Sequence, residues 1–170
     1  MEIKYYHLDY DDIEQISDME NRFFSTPWSP ASIGHYAEAG NTIFVVARSE
    51  EPYVRDREEL RRSGKDGSEL PRRVVGYAAV LCAADEGNLV SIGVEEDCRN
   101  MGIASELLDI LYGEALDRGV TSINLEVRKS NKPAISLYEG EGFKAVGQRP
   151  RFYRNPEEDA ILYIKELTNA

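Results

Sequence analysis

Residues 99–104 read Arg-Asn-Met-Gly-Ile-Ala and sit between an apolar run, Leu89-Val90-Ser91-Ile92-Gly93-Val94, and a helical pattern, Leu107-Leu108-Ile110-Leu111. The order predicts a strand, a short turn and a helix whose first turn, Ile103-Ala104-Ser105, carries small or unobstructive residues. Helix N-termini leave backbone N–H groups without intrahelical acceptors, and those groups hold anions. Gly102 lets the backbone approach a phosphate closely, Ala104 keeps the helix mouth narrow without blocking it, and Arg99 adds a charge-assisted contact. The bland alternative is a plain connection capped by Gly102. A Walker loop is excluded, because no Gly-x-x-x-x-Gly-Lys-Ser/Thr string exists in the chain.

A second string lies further along. Ser122-Ile123-Asn124-Leu125-Glu126-Val127 alternates as a strand does, and is followed by Arg128-Lys129-Ser130-Asn131-Lys132-Pro133-Ala134-Ile135-Ser136-Leu137-Tyr138-Glu139-Gly140-Glu141-Gly142-Phe143. Together with the turn at 99–104, the pattern Leu-Glu-Val-Arg-x-Ser-Asn-x-x-Ala-Ile-x-Leu-Tyr-Glu-x-x-Gly-Phe resembles the GNAT acetyltransferase superfamily, and within it the RimI-type ribosomal-protein-alanine N-acetyltransferases. Two outlying segments, Met19–Ser29 with its Pro27-Trp28-Ser29 and Arg149–Ala160, resemble the same branch. Met101 replaces a basic or polar residue usual in that turn, and Glu141 stands where leucine is common.

The resemblance implies an α/β fold: a mixed, largely antiparallel sheet of six or seven strands, splayed where the Val94 and Glu126 strands part, flanked by about four helices. It implies acetyl-CoA as acetyl donor, with no metal, and a protein N-terminal amine as acceptor, the N-terminal alanine of a small-subunit ribosomal protein foremost. Acetyl transfer from a thioester needs a held cofactor, a deprotonated amine, donors for an oxyanion and a proton for the departing thiolate. An α-amine with a pKa of about 7.7–8.0 is only partly neutral near pH 7, so a weak base suffices. By resemblance Glu126 is that base. By the same resemblance Tyr138 is the general acid, a phenol of pKa about 10 being protonated at neutral pH, or else it only orients the sulfur. The turn residues Arg99, Asn100, Met101, Gly102, Ile103, Ala104 and Ser105 would take the pyrophosphate. Ile92, Gly93 and Val94 would offer backbone groups to the pantetheine arm, with the Val94 N–H as oxyanion donor. Asn131 would bind cofactor, or cap its helix. Trp28, Tyr153, Glu158 and Asp159 would border the peptide groove, the acidic pair facing an arginine; Trp28 reads equally as a core anchor.

Composition sets the frame. The 170 residues are enough for one domain, spanning 1–170, and carry a net charge of −11. That charge disfavours nucleic acid and suits a basic peptide partner, or serves solubility alone. Cys82 and Cys98 show no metal or redox spacing, and no leader or long apolar run is evident, so a reduced, cytoplasmic protein without membrane attachment is expected. Helices are expected at Asp11–Phe23, from Ser29-Pro30 to Tyr36, from the phosphate turn to near Gly119, and from Lys132-Pro133 to about Glu139. Strands are expected at Thr42–Ala47, Val74–Leu81, Asn88–Val94, Ser122–Val127, and around Lys144–Arg149 and Ala160–Lys165. Residues from about 48 to 73 are charged and nearly lack apolar side chains. They read as a solvated insertion, a loop with some helical pairing on offer from Glu58-Glu59 and Arg61-Arg62. Two other functions stay open on these grounds: acetylation of a small amine or lysine, and a non-catalytic acyl-CoA-binding module.

Overall fold

The computed structural model describes residues 1–64 and 66–168. Along the chain run β1 (Ile3–His7), α1 (Tyr10–Phe23), α2 (Pro30–Glu38), β2 (Thr42–Pro52), α3 (Arg57–Ser63), β3 (Arg72–Ala83) and β4 (Glu86–Val94). After them come α4 (Ile103–Asp117), β5 (Ser122–Arg128), α5 (Lys132–Gly140), β6 (Lys144–Tyr153) and β7 (Glu158–Glu166). The strands form one sheet in the order β1-β2-β3-β4-β5-β7-β6. Among the described residues only β4 and β5 pair in parallel, and the connection between them is α4, as a parallel pair requires.

Local chemistry explains the helix starts. Asp9 caps α1 in a reciprocal capping box with Asp12, and Ser29 caps α2 with Pro30 at its first position. Helix α4 stops before Gly119, whose φ of 83° is left-handed. The alternation of β5 puts Ile123, Leu125 and Val127 in the core and leaves Asn124 and Glu126 on the other face. One apolar cluster lies on the α4 side of the sheet, built around Leu107, Leu108, Leu111, Ile123 and Leu125. The other joins Ile16 and Met19 of α1 and Ile33 of α2 to Phe44, Val46 and Tyr77. Burying each such large side chain contributes about 1.5–3 kcal/mol.

Two expectations change. The insertion is shorter than 48–73: β2 runs on to Pro52, β3 already begins at Arg72, and Ser49 is buried. Arg48 is drawn into the structure by a two-point pair with buried Asp12 of α1, at 2.6 and 2.9 Å. A charged residue sits within the strand here because its partner lies on a neighbouring helix. The remaining segment is not a bare loop, since it holds α3 and a 3-10 turn at Gly67–Glu69, with Glu58 and Arg62 paired at 3.1 Å. Lys65 and the Glu59 side chain lie outside the described residues. Strand β1, absent from the sequence reading, pairs with β2 at the sheet edge; only two of its five residues are even partly buried, so its alternation is faint. Among the described residues no helix is long and apolar enough to cross a membrane.

Candidate active site

The site begins where the sheet forks. Pairing of β4 with β5 extends only from Glu86 opposite Ser122 to Asn88 opposite Asn124, and Asn88 Nδ2 donates to Asn124 Oδ1 at 2.6 Å at that end. Beyond it the strands part. Between β3 and β4 the register steps from Val80 opposite Leu89 to Ala79 opposite Ser91, so Val90 is an extra, unpaired residue, and such a bulge bends its strand. The Glu95 N–H donates to Val75 O at 2.9 Å, which makes 75/95, 77/93 and 79/91 the hydrogen-bonded pairs. Ile92 and Val94 therefore turn their N–H and C=O groups away from β3, into the fork. The side chain of Arg99 meets one of them, its Nε donating to Val94 O at 3.2 Å. Gly93 is required on steric grounds, because a Cβ there would stand 2.8 Å from the Tyr77 ring.

At the mouth of α4, Asn100 and Gly102 both take left-handed φ, 61° and 80°. The first intrahelical bond is Glu106 N–H to Gly102 O, so the N–H groups of Ile103, Ala104 and Ser105 have no acceptor within the helix. A Cβ on Gly102 would meet nothing within 4 Å. Open space, free donors and a helix N-terminus fit the pyrophosphate of acetyl-CoA. The Arg99 guanidinium is anchored beside this mouth, 5.2 Å from the Phe23 ring centroid.

The fork opens into a cleft of about 420 Å³ lined by residues of α1, the α1–α2 loop, β4, β5, α5 and β6. Ile92, Glu126, Asn131, Tyr138, Trp28 and Tyr153 all border it. Glu126 projects from β5 with its side chain 22% exposed and its carboxylate 3.6 Å from Arg149 Nε. Tyr138 is buried, which pushes its phenol well above the ordinary range, with a smaller push from Tyr153. It holds its proton at any physiological pH. Tyr153 is pushed up to about 12, chiefly by burial. Asn131 caps α5 through Oδ1, leaving its amide N–H groups for other use. Trp28 stacks on Tyr36 at 4.6 Å and also packs near Phe44, so it anchors the second core cluster as well as walling the cleft.

Glu158 and Asp159 do not form an open acidic pair. Glu158 accepts from Ser130 N–H at 2.6 Å and from Arg128 at 3.3 Å, and Asp159 accepts from Arg151 N–H at 2.9 Å. Their charges hold the β6–β7 hairpin in place. Two further residues of the cleft lie within the strings that carry the resemblance, without a role assigned to them there. Arg128 joins Ser25, Arg154 O, Pro156 O and Glu158 by hydrogen bonds and lies 4.5 Å over the Tyr153 ring. Glu20 is buried at 2% exposure and still borders the cleft. Helical spacing leaves Met19 and Glu20 competing for the inward position; both take it.

A bulged, forked sheet with a helix mouth at the end of the bent strand defines an acyl-CoA-binding class of fold. The sequence profile of the Acetyltransferase (GNAT) family matches residues 13–143, and the chain belongs to that family. The [Ribosomal protein bS18]-alanine N-acetyltransferase of Salmonella typhimurium is 38% identical over 92 residues, covering 53% of this chain and 62% of that protein. The chain thus matches under two thirds of that relative's length. An uncharacterised N-acetyltransferase of Methanocaldococcus jannaschii is 30% identical over 94% of this chain and 88% of its own. Among solved structures, the ribosomal-protein-S18-alanine N-acetyltransferase of Escherichia coli superposes with a TM-score of 0.78 at 24% identity, over 99% of this chain and 96% of that one.

Proposed function

We propose that this protein transfers the acetyl group of acetyl-CoA to the α-amine of a protein N-terminus, with an alanine-led ribosomal protein as acceptor. The observation that carries the reading is the cleft between β4 and β5, which Glu126, Tyr138 and the fork-facing Ile92 of β4 all border. The names of the bS18-alanine relatives support the acceptor. Acetyl-CoA supplies a thioester. Ile103, Ala104 and Ser105 N–H hold the pyrophosphate, and the β4 backbone aligns the pantetheine arm. Glu126 takes a proton from the acceptor ammonium, directly or through one water, so that the nitrogen lone pair is free to attack the acetyl carbon. Val94 N–H steadies the negative charge that develops on the carbonyl oxygen. The C–N bond forms, the C–S bond breaks and Tyr138 gives its phenolic proton to the sulfur, while the surplus proton of the new amide nitrogen restores the phenol and Glu126 releases its own to solvent.

The test is mass spectrometry of synthetic peptides incubated with protein and acetyl-CoA. Alanine-led peptides should gain one acetyl group on the α-amine, faster when basic residues follow and less so as salt is raised, since the chain is strongly acidic overall. Faster acetylation of free lysine or a small amine would replace the peptide reading.

A further inference from the structure

Glu20 is a buried carboxylate on the wall of the cleft. It lies on α1, buried, and both its oxygens are used: Oε1 accepts from Tyr77 OH at 2.5 Å and from Ser91 Oγ at 2.7 Å, and Oε2 accepts from Trp28 N–H at 3.0 Å. Among the described residues no cation pairs with it. A carboxylate has about four lone-pair directions, so Oε2 retains one, and the residue borders the cleft on the wall formed by α1 and β4. Glu126 borders the same cleft from β5. Its donors bind Glu20 to Tyr77 on β3, to Ser91 beside the bend of β4 and to Trp28, just before the Ser29 cap of α2. The carboxylate cannot swing away.

We propose that Glu20 is the second acceptor-side carboxylate of this site, accepting an N–H of the substrate amine and so fixing the direction of the nitrogen lone pair. The role rests on the acetyl-transfer reading and deepens it. Both the ammonium and the neutral amine carry N–H donors, so the contact persists while Glu126 removes the proton. An N–H held toward α1 turns the lone pair away from α1, toward the β4–β5 fork where the thioester would lie. Only an unpaired anion does both jobs, attracting the cation and then holding the amine. Glutamine in its place would keep one oxygen for Tyr77 and Ser91 but set an amide N–H against Trp28 N–H, so only a carboxylate accepts all three donors.

Glu20→Gln tests this, because its amide oxygen still accepts from both hydroxyls while the charge is lost; it also sets an amide N–H against Trp28 N–H, so its melting temperature is measured beside the rates. Initial rates come from release of free thiol, with an alanine-led basic peptide and with spermidine offered separately as acceptors. The wild type thereby names its acceptor. For that acceptor the variant should raise KM by 10-fold or more, with coenzyme A affinity by calorimetry unchanged. Competition with a matched inhibitor pair, the acceptor scaffold with its amine methylated to a secondary amine and the same scaffold with hydrogen in place of the amine, gives the sharper readout. Wild type should prefer the amine form clearly, and the variant should bind the two alike. Tyr77→Phe, which leaves the charge, should lower the melting temperature yet preserve the preference. An amine preference undiminished in Glu20→Gln overturns the proposal while leaving acetyl transfer intact. A wild type that releases thiol with neither acceptor overturns both.

Discussion

Glu126 and Tyr138 reach the cleft from different elements, and their surroundings suit opposite proton duties. Tyr138 is buried and its phenol is raised out of the physiological range, so it enters the reaction protonated. Glu126 is partly exposed and has only a long contact with Arg149. Replacing Glu126 by glutamine should lower kcat by about 10²–10⁴-fold at pH 7, the usual reach of general acid–base catalysis. The deficit should shrink above about pH 8, where the α-amine loses its own proton. Rate–pH profiles of the two proteins check this, and parallel profiles would remove Glu126 from the mechanism. Tyr138→Phe keeps the ring that packs against Phe143 at 5.7 Å. Its turnover should fall by about 10–10³-fold with a melting curve little changed; single-turnover rates equal to wild type would end its role as proton donor.

Elements decide how the residues meet. The mouth of α4 depends on a left-handed Gly102 with open space in front of it, so Gly102→Glu introduces backbone strain and a negative charge where pyrophosphate binds. Coenzyme A affinity should fall by at least 10²-fold, and calorimetry giving an unaltered Kd would move the phosphate site elsewhere. The β6–β7 hairpin is held differently. Hydrogen bonds from Ser130, and secondarily from Arg128, keep Glu158 below the ordinary glutamate value of 4.5. A carboxylate with a lowered folded pKa stabilises the fold above its unfolded value, and that contribution is lost as pH falls through the folded one. Glu158→Gln should therefore melt lower than wild type at pH 7, and the two should converge as pH drops below 4.5. A gap that stays constant down to acid pH would show that shape, not charge, matters there.

At the scale of the molecule, the charged segment between β2 and β3 is an appendage to the sheet. Tyr53 N–H donates to Pro71 O at 2.7 Å, so the segment leaves and re-enters at one point. It touches α1 through Arg55 on Glu14 at 2.6 Å and Tyr53 OH on Asp18 at 3.4 Å. Contacts of that kind, open to solvent or only partly buried, contribute little. Replacing residues 54–70 with a short turn should shift the melting temperature by only a few degrees and leave acetyl transfer unchanged. A cut that reaches Ser49 or Arg48 should do far more harm, because the buried Asp12 then loses its partner. Thermal melts of the two deletions side by side separate appendage from sheet.

Much of this was legible in one dimension because its causes are local. Ser29-Pro30 starts a helix, Gly119 ends one, and the turn around Gly102 opens one, each through the backbone preferences of a few neighbours. The strings around Glu126 and Tyr138 carry the family, and the fork follows from it. Other features depend on partners distant in sequence. Arg48 and Ser49 look solvated until Asp12 and the neighbouring strands are in place. Glu158 and Asp159 look like an acidic groove until Ser130, Arg128 and Arg151 take their lone pairs. Glu20 is one acidic residue among 31 until Tyr77, Ser91 and Trp28 surround it. Side-chain charge is written in the sequence, but whether it faces water, a partner or a substrate is settled only when the chain folds and the competing donors arrive.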